Sequence, residues 1–389
     1  MEKINQWLVV AFVAVGLLSI ANAQDVRKME KDIQALQKTQ TSMFEGQLRD
    51  RVHKIVNTTE FVRSANVSLN ALVLSNSLTD YLNDVSSLNN PTNQELGFSL
   101  TQTIIKNLEQ NIFKGRKKAG GGLLSKCLSI VKNVIEKPIT KIVTTAVPVV
   151  GAMNSVSQMV YGMALRDDKI SVDDVDNFRN EIGKFIAHYE RLAIANRDFT
   201  NTVNSVRERT ISVQMLLRNF TYQRLSTLRP AEFNPADEFD AQKIVDEKNF
   251  RNIMLHDYER NVILGKVNEI IRQYANDGNI NFETALADKQ LEYPDYIIGE
   301  AKFIVDEIEA ISEEYILAFN RYQENVEHVL EQSKDIGDAA HIDRKIQFLR
   351  EKLEKVEEAF INAVHVEEVA YKFRQLVEAE QAVGLGFKF

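Results

Sequence analysis

Cysteine is almost absent from this 389-residue chain: Cys127 stands alone, so no internal disulfide can form and no thiolate cage for zinc can be assembled. Breakers are also scarce, with six prolines and sixteen glycines, while alanine, leucine, glutamate, lysine and glutamine are plentiful. Those residues favour helix and give little occasion to interrupt it. Runs of alternating apolar residues between turn signals are missing, which removes the usual sign of a sheet, and no fixed-period repeat suggests a solenoid. Stability must then come from apolar stripes buried along helices. The expected fold is all-α: an elongated bundle of long antiparallel helices with coiled-coil segments.

The usual signatures of catalysis are lacking too. None of the six histidines, His53, His188, His256, His328, His341 and His365, sits in a His-Glu-x-x-His helix or follows a glutamate by three places as in di-iron bundles. Gly120-Gly121-Gly122 lacks the Gly-Lys-Ser/Thr ending and the preceding strand of a phosphate cradle. Around Asp277-Gly278-Asn279 a calcium-loop alignment puts Gln273, Ala275 and Thr284 at ligand positions and loses the closing glutamate, so this reads as a helix stop. Cys127 lies among leucines and lysines and reads as packing. No catalytic residue, metal site or cofactor is expected, and the protein is expected not to be an enzyme.

Net charge is −8, which does not suit a general nucleic-acid binder. It is unevenly spread: from Lys106 to Lys141 nine basic residues face only Glu109 and Glu136, a local +7 that leaves −15 elsewhere. Such an island is drawn to anionic surfaces or stays as a solvated patch.

What is present begins with an export signal. Lys3 precedes the apolar run Leu8 to Ile20 and the small-x-small site Ala21-Asn22-Ala23, so residues 1–23 are expected to be removed and the mature chain to start at Gln24, leaving 389 − 23 = 366 residues. No cysteine follows the cut, so lipid attachment there is not expected. The expected destination is the periplasm or exterior of a Gram-negative bacterium.

Residues 24–115 read as a helical hairpin. Val26, Met29, Ile33 and Leu36 step by three and four, Val52, Ile55, Thr59 and Val62 resume the stripe, and Asn89-Asn90-Pro91 breaks it, with Asn90 placed to cap and Pro91 to occupy the first turn of a second helix. Leu100, Ile104, Leu108 and Ile112 then line that helix. Residues 171–389 carry the strongest periodicity. Thirteen positions from Phe178 to Phe220 alternate steps of four and three, eleven of them apolar, with Asn196 as the polar residue that fixes coiled-coil register. Arg229-Pro230 closes this helix, Asn234-Pro235 opens another that runs to Asn276, a helix follows from about Asp295 to Lys334, and the last begins near Asp338 with Ile342, Ile346, Leu349, Leu353, Val356 and Phe360 on one face.

Between them, residues 116–170 hold the segment of greatest functional interest. Leu124, Cys127, Leu128, Val131, Val134 and Ile135 form the apolar face of a short basic helix, with Lys126 and Lys132 opposite. After Lys141 no charge appears until Arg166. Val149, Met153, Val156, Val160 and Met163 fall on one stripe, and Gly151, Asn154, Ser155, Gln158 and Gly162 on another. From Pro148 to Leu165 is about 27 Å of helix, near membrane thickness, but the amides make it a poor permanent span. One expectation is a helix hidden in the bundle, with Asn154 and Gln158 shielded by protein. The other is a hairpin released onto an anionic membrane, hinged at Gly120, Gly121 and Gly122, with Lys117, Lys118, Lys126 and Lys132 touching first. In helix layout residues 123–165 resemble the hydrophobic hairpin of α-helical pore-forming toxins, a resemblance that implies conditional insertion and carries over no functional residue. The expected partners are therefore protein helices, including the chain itself, or an anionic membrane, and not nucleic acid.

Overall fold

A computed structural model describes the backbone at residues 2–73, 81, 84–85, 87–88, 94–113, 125, 129, 146–164, 171–233, 247–276 and 279–378. Within its helices the side chains of residues 2–26, 111, 146–150, 152, 163 and 164 are outside that description. The described elements are α1 (Glu2–Val73), α2 (Leu100–Asn107, continued by a π turn Leu108–Ile112), α3 (Ala146–Ala164), α4 (Val172–Leu228), α5 (Glu247–His256), α6 (Arg260–Arg272), β1 (Ala275–Asn276), β2 (Asn279–Ile280), α7 (Phe282–Leu286), α8 (Tyr296–Gln332), α9 (Ala339–Val364) and α10 (Val366–Val377). The protein is all-α, as its composition predicts, with long helices packed against one another. The two strands are two residues each and pair antiparallel, Ala275 with Ile280 and Asn276 with Asn279, across the expected helix stop.

The expected break at Asn89–Pro91, the triglycine, Asn234-Pro235, Asp277-Gly278 and most of residues 114–145 lie outside the described residues.

Several boundaries follow local chemistry. Ser171 accepts from the Asp174 amide at 3.1 Å and starts α4, which ends at Leu228, just before Arg229-Pro230. Asp338 accepts from the His341 amide at 3.1 Å and starts α9. Three boundaries differ from expectation. The second helix begins at Leu100, where Ser99 caps it, because the preceding chain turns through Gly97 at φ 77°. The helix expected through Asn276 is interrupted at Asp257 to Glu259, where Glu259 caps α6 and Tyr258 turns into the core. The final helix is broken at His365, a left-handed residue with φ 50° and ψ 41°.

Two compact units divide the chain: unit 1 holds Met1–Arg63, Leu217–Phe303 and Ala370–Phe389, and unit 2 holds Ser64–Leu216 and Ile304–Val369. In unit 1, Val52, Val56 and Phe61 of α1 are fully buried, as are Val267 and Ile271 of α6. Phe61 sits edge-on to Phe220 and Phe373, with ring centroids 6.3 and 6.2 Å apart. Backbone ends are tied down by side chains: Arg51 donates to the Leu286 carbonyl at 2.7 Å, Asn57 to that of Gln375 at 2.9 Å and Gln290 to that of Leu228 at 3.1 Å. Each meets an acceptor that a helix end or turn would otherwise leave open.

Unit 2 is organised by the stripe of α4. Of the thirteen predicted positions, the eleven from Phe178 to Val213 lie in unit 2 and Leu217 and Phe220 in unit 1; twelve are buried and Val203 is half-buried. In unit 2 they meet aromatics of α8: Phe199 stacks on Tyr322 at 4.4 Å and tilts against Phe319 at 5.6 Å. All six predicted positions of α9, Ile342 to Phe360, are buried, and Phe360 packs on Tyr315 at 5.4 Å. Leu100, Ile104, Leu108 and Ile112 are buried as one face, as their spacing requires.

Candidate functional site

The apolar stripe of α3 points inward. Met153, Val156 and Val160 are fully buried within unit 2, while Asn154, Ser155 and Gln158 are exposed. The expectation that protein shields Asn154 and Gln158 is therefore corrected. An amide left in water keeps its hydration and needs no partner, so one-sided burial is the less costly arrangement. Among the described residues no helix is long and apolar enough to cross a membrane. Of the other residues proposed for membrane or partner contact, Lys117, Lys118, Lys126, Lys132 and the hinge Gly120, Gly121 and Gly122 lie outside the described residues, as do the side chains of Val149 and Met163.

Asn196 is buried in the α4 stripe. Its Oδ1 accepts from the Tyr322 hydroxyl at 2.5 Å, and its Nδ2 has no partner. Tyr322 in turn lies edge-on to Tyr81, 6.3 Å away. Burial, with Tyr81 beside it, raises the Tyr322 phenol far above its ordinary value and keeps it a neutral donor.

Sequence gave no notice of the pairing of His188 with Ser333, whose Nδ1 and Oγ are 2.5 Å apart. The geometry resembles a base and a nucleophile, but the protons run the wrong way. Ser333 donates to the Val329 carbonyl at 2.6 Å, so Nδ1 must carry the proton and donate to Oγ. Both residues are at most 3 % exposed, which closes the serine to any substrate. Burial first, then the charge of Arg191, lowers the His188 pKa to about 4 and holds the ring neutral. Rings of Phe98 and Tyr189 stand edge-on at 5.5 and 5.0 Å.

Unit 1 contains a cavity of about 20 Å³ beside Thr58, Arg224, Tyr258 and Tyr293. That is room for a single water, well below the size of a substrate pocket. Thr58 and Tyr293 hydroxyls are 2.9 Å apart, burial pushes the Tyr293 phenol up to about 12, and Arg224 Nε has no partner. Among the described residues no cluster of three or more His, Cys, Asp or Glu could hold a metal ion.

The feature with functional geometry is on α1. From Arg27 to Met43 every residue is exposed, and on one face of that helix lie Met29 (63 %), Ile33 (49 %), Leu36 (68 %) and Met43 (52 %). Their intervals of four, three and seven are heptad spacing. Glu30 lies on one flank of the stripe and Asp32 and Lys28 on the other, while Arg27, Lys31 and Lys38 fall on the opposite face. Beyond it the same helix enters the core of unit 1 at Leu48. Sequence periodicity finds Met29, Ile33 and Leu36 and, further along on another face, Val52, Ile55, Thr59 and Val62, but does not distinguish the covered run from the open one.

Comparison with protein-family models, with curated proteins and with solved structures found no match to this chain.

Proposed function

We propose that the protein is exported and works without catalysis, by helix-to-helix association in the cell envelope as a scaffold or adaptor. The observation that carries this reading is the open apolar stripe Met29, Ile33, Leu36 and Met43 on a helix anchored at its other end in unit 1. A soluble helix that offers a heptad stripe to water gains by covering it, since full burial of one such side chain is worth about 1.5–3 kcal/mol. Glu30, Asp32 and Lys28 give the stripe a charged rim.

The alternative, insertion of residues 123–165 into an anionic bilayer, would require Met153, Val156 and Val160 to leave the core of unit 2. Exposure of three aliphatic side chains makes that release costly in the absence of a trigger.

Size-exclusion chromatography of detergent-free envelope extract tests the reading. Wild type should elute ahead of a variant carrying Ile33→Glu and Leu36→Glu, which should elute as a monomer with unchanged circular dichroism. Identical elution of the two would count against association through this stripe.

A further inference from the structure

We infer that the cavity of unit 1 is a binding site for one ordered water molecule, which joins Arg224 of α4 to Tyr293 in the loop before α8.

The direction of two hydrogen bonds decides the chemistry of this site. Thr58 gives its only hydroxyl proton to the Lys54 carbonyl at 2.6 Å, so the 2.9 Å bond between the Thr58 and Tyr293 hydroxyls must be donated by Tyr293. The Tyr293 proton is thus committed, and its oxygen offers the cavity only lone pairs. Arg224 offers the opposite. Its Nε always carries a proton, is buried, and meets no acceptor among the described residues. The rest of the guanidinium is held from the other side, with Nη2 reaching the Tyr296 hydroxyl at 3.4 Å and the group 5.9 Å from the centre of the Tyr296 ring. Tyr258, 2 % exposed, also lines the cavity, and burial raises its phenol and keeps it a neutral donor.

A ligand in this place must accept from a cation and donate to a neutral oxygen. An anion can do the first and not the second, and it would stand beside the Glu292 carboxylate, which lines the cavity as well. A metal cation would be repelled by Arg224. Water does both, and keeps a second lone pair for the Tyr258 phenol. The cavity, about 20 Å³, exceeds the roughly 10–15 Å³ that one water requires. A buried N–H without an acceptor bears its whole desolvation cost, and the water removes it. It thereby links helix α4 to a Thr58–Tyr293 contact that itself spans 235 residues.

A high-resolution crystal structure of the purified chain should show one water within about 3.2 Å of both Arg224 Nε and Tyr293 Oη. Arg224→Met removes the donor at similar volume and should lose that density while the bond between Tyr293 and Thr58 persists. Arg224 is part-exposed, so the variant keeps its fold, as circular dichroism would verify. In solution, oxygen-17 magnetic relaxation dispersion should count one fewer long-lived water in Arg224→Met than in wild type. An Arg224 Nε bonded directly to Glu292, a bromide soak that places anomalous density in the cavity, or a water signal indifferent to Arg224→Met would each overturn the proposal.

Discussion

The hydroxyl of Tyr322 donates to Oδ1 of Asn196 at 2.5 Å in the core of unit 2, where the two side chains are 3 % and 6 % exposed. Such a pair costs more to half-remove than to remove whole, because a buried group left without a partner retains its full desolvation cost. Asn196→Leu alone should therefore destabilise by about 2–3 kcal/mol, and Asn196→Leu with Tyr322→Phe by markedly less. Denaturant unfolding of the four proteins of this cycle checks it. Additive losses would show that the bond contributes nothing.

His188 makes stability depend on acid. Its folded pKa of about 4 lies below the ordinary histidine value of 6.5, so between those limits the unfolded chain binds the proton and the folded chain does not. The contribution is fully present above pH 6.5, is lost as pH falls toward 4, and amounts to about 3 kcal/mol over that window. Melting temperature followed from pH 7.5 to pH 4 should fall less steeply in His188→Gln than in wild type. Parallel curves would refute the assignment.

Gly97 cannot take a side chain. Its φ is 77°, and a Cβ there would lie 2.5 Å from Cβ and 2.9 Å from the amide nitrogen of Asp338, the residue that caps α9 and donates to the Leu96 carbonyl at 3.2 Å. Gly97→Ala should cost about 2–4 kcal/mol, from the strained backbone together with a displaced cap. A loss below about 0.5 kcal/mol in denaturant unfolding, the range of an ordinary surface change, would contradict this contact.

His365 occupies the left-handed region without being glycine, and its imidazole is exposed. His365→Gly should raise stability by about 0.5–1 kcal/mol, and His365→Val should lower it, because branching at Cβ is least tolerated there. Thermal unfolding of the pair decides the sign.

How much of this was legible depended on whether a residue's neighbours are local. The α4 and α9 stripes could be read because burial of one helix face imposes its period on the sequence, and twelve of thirteen positions from Phe178 to Phe220 are buried as that period requires. The start of α9 near Asp338 was legible, and what fixes it is local, the His341 amide bonding to Asp338 three residues before it. The break at His365 was not, since nothing in a histidine marks a left-handed backbone, and the pairing of His188 with Ser333 spans 145 residues. The candidate surface was half legible: spacing singled out Met29, Ile33 and Leu36, but whether a stripe is covered depends on the rest of the chain.

Site-specific photo-crosslinking in the producing cells puts that surface to the sharpest test. A benzophenone side chain at Leu36, on the stripe, should yield a discrete protein adduct in the envelope fraction, and the same probe at the exposed Lys38, on the opposite face, should yield none. No adduct at position 36, or equal labelling from both faces, would mean that this helix does not associate through its apolar stripe.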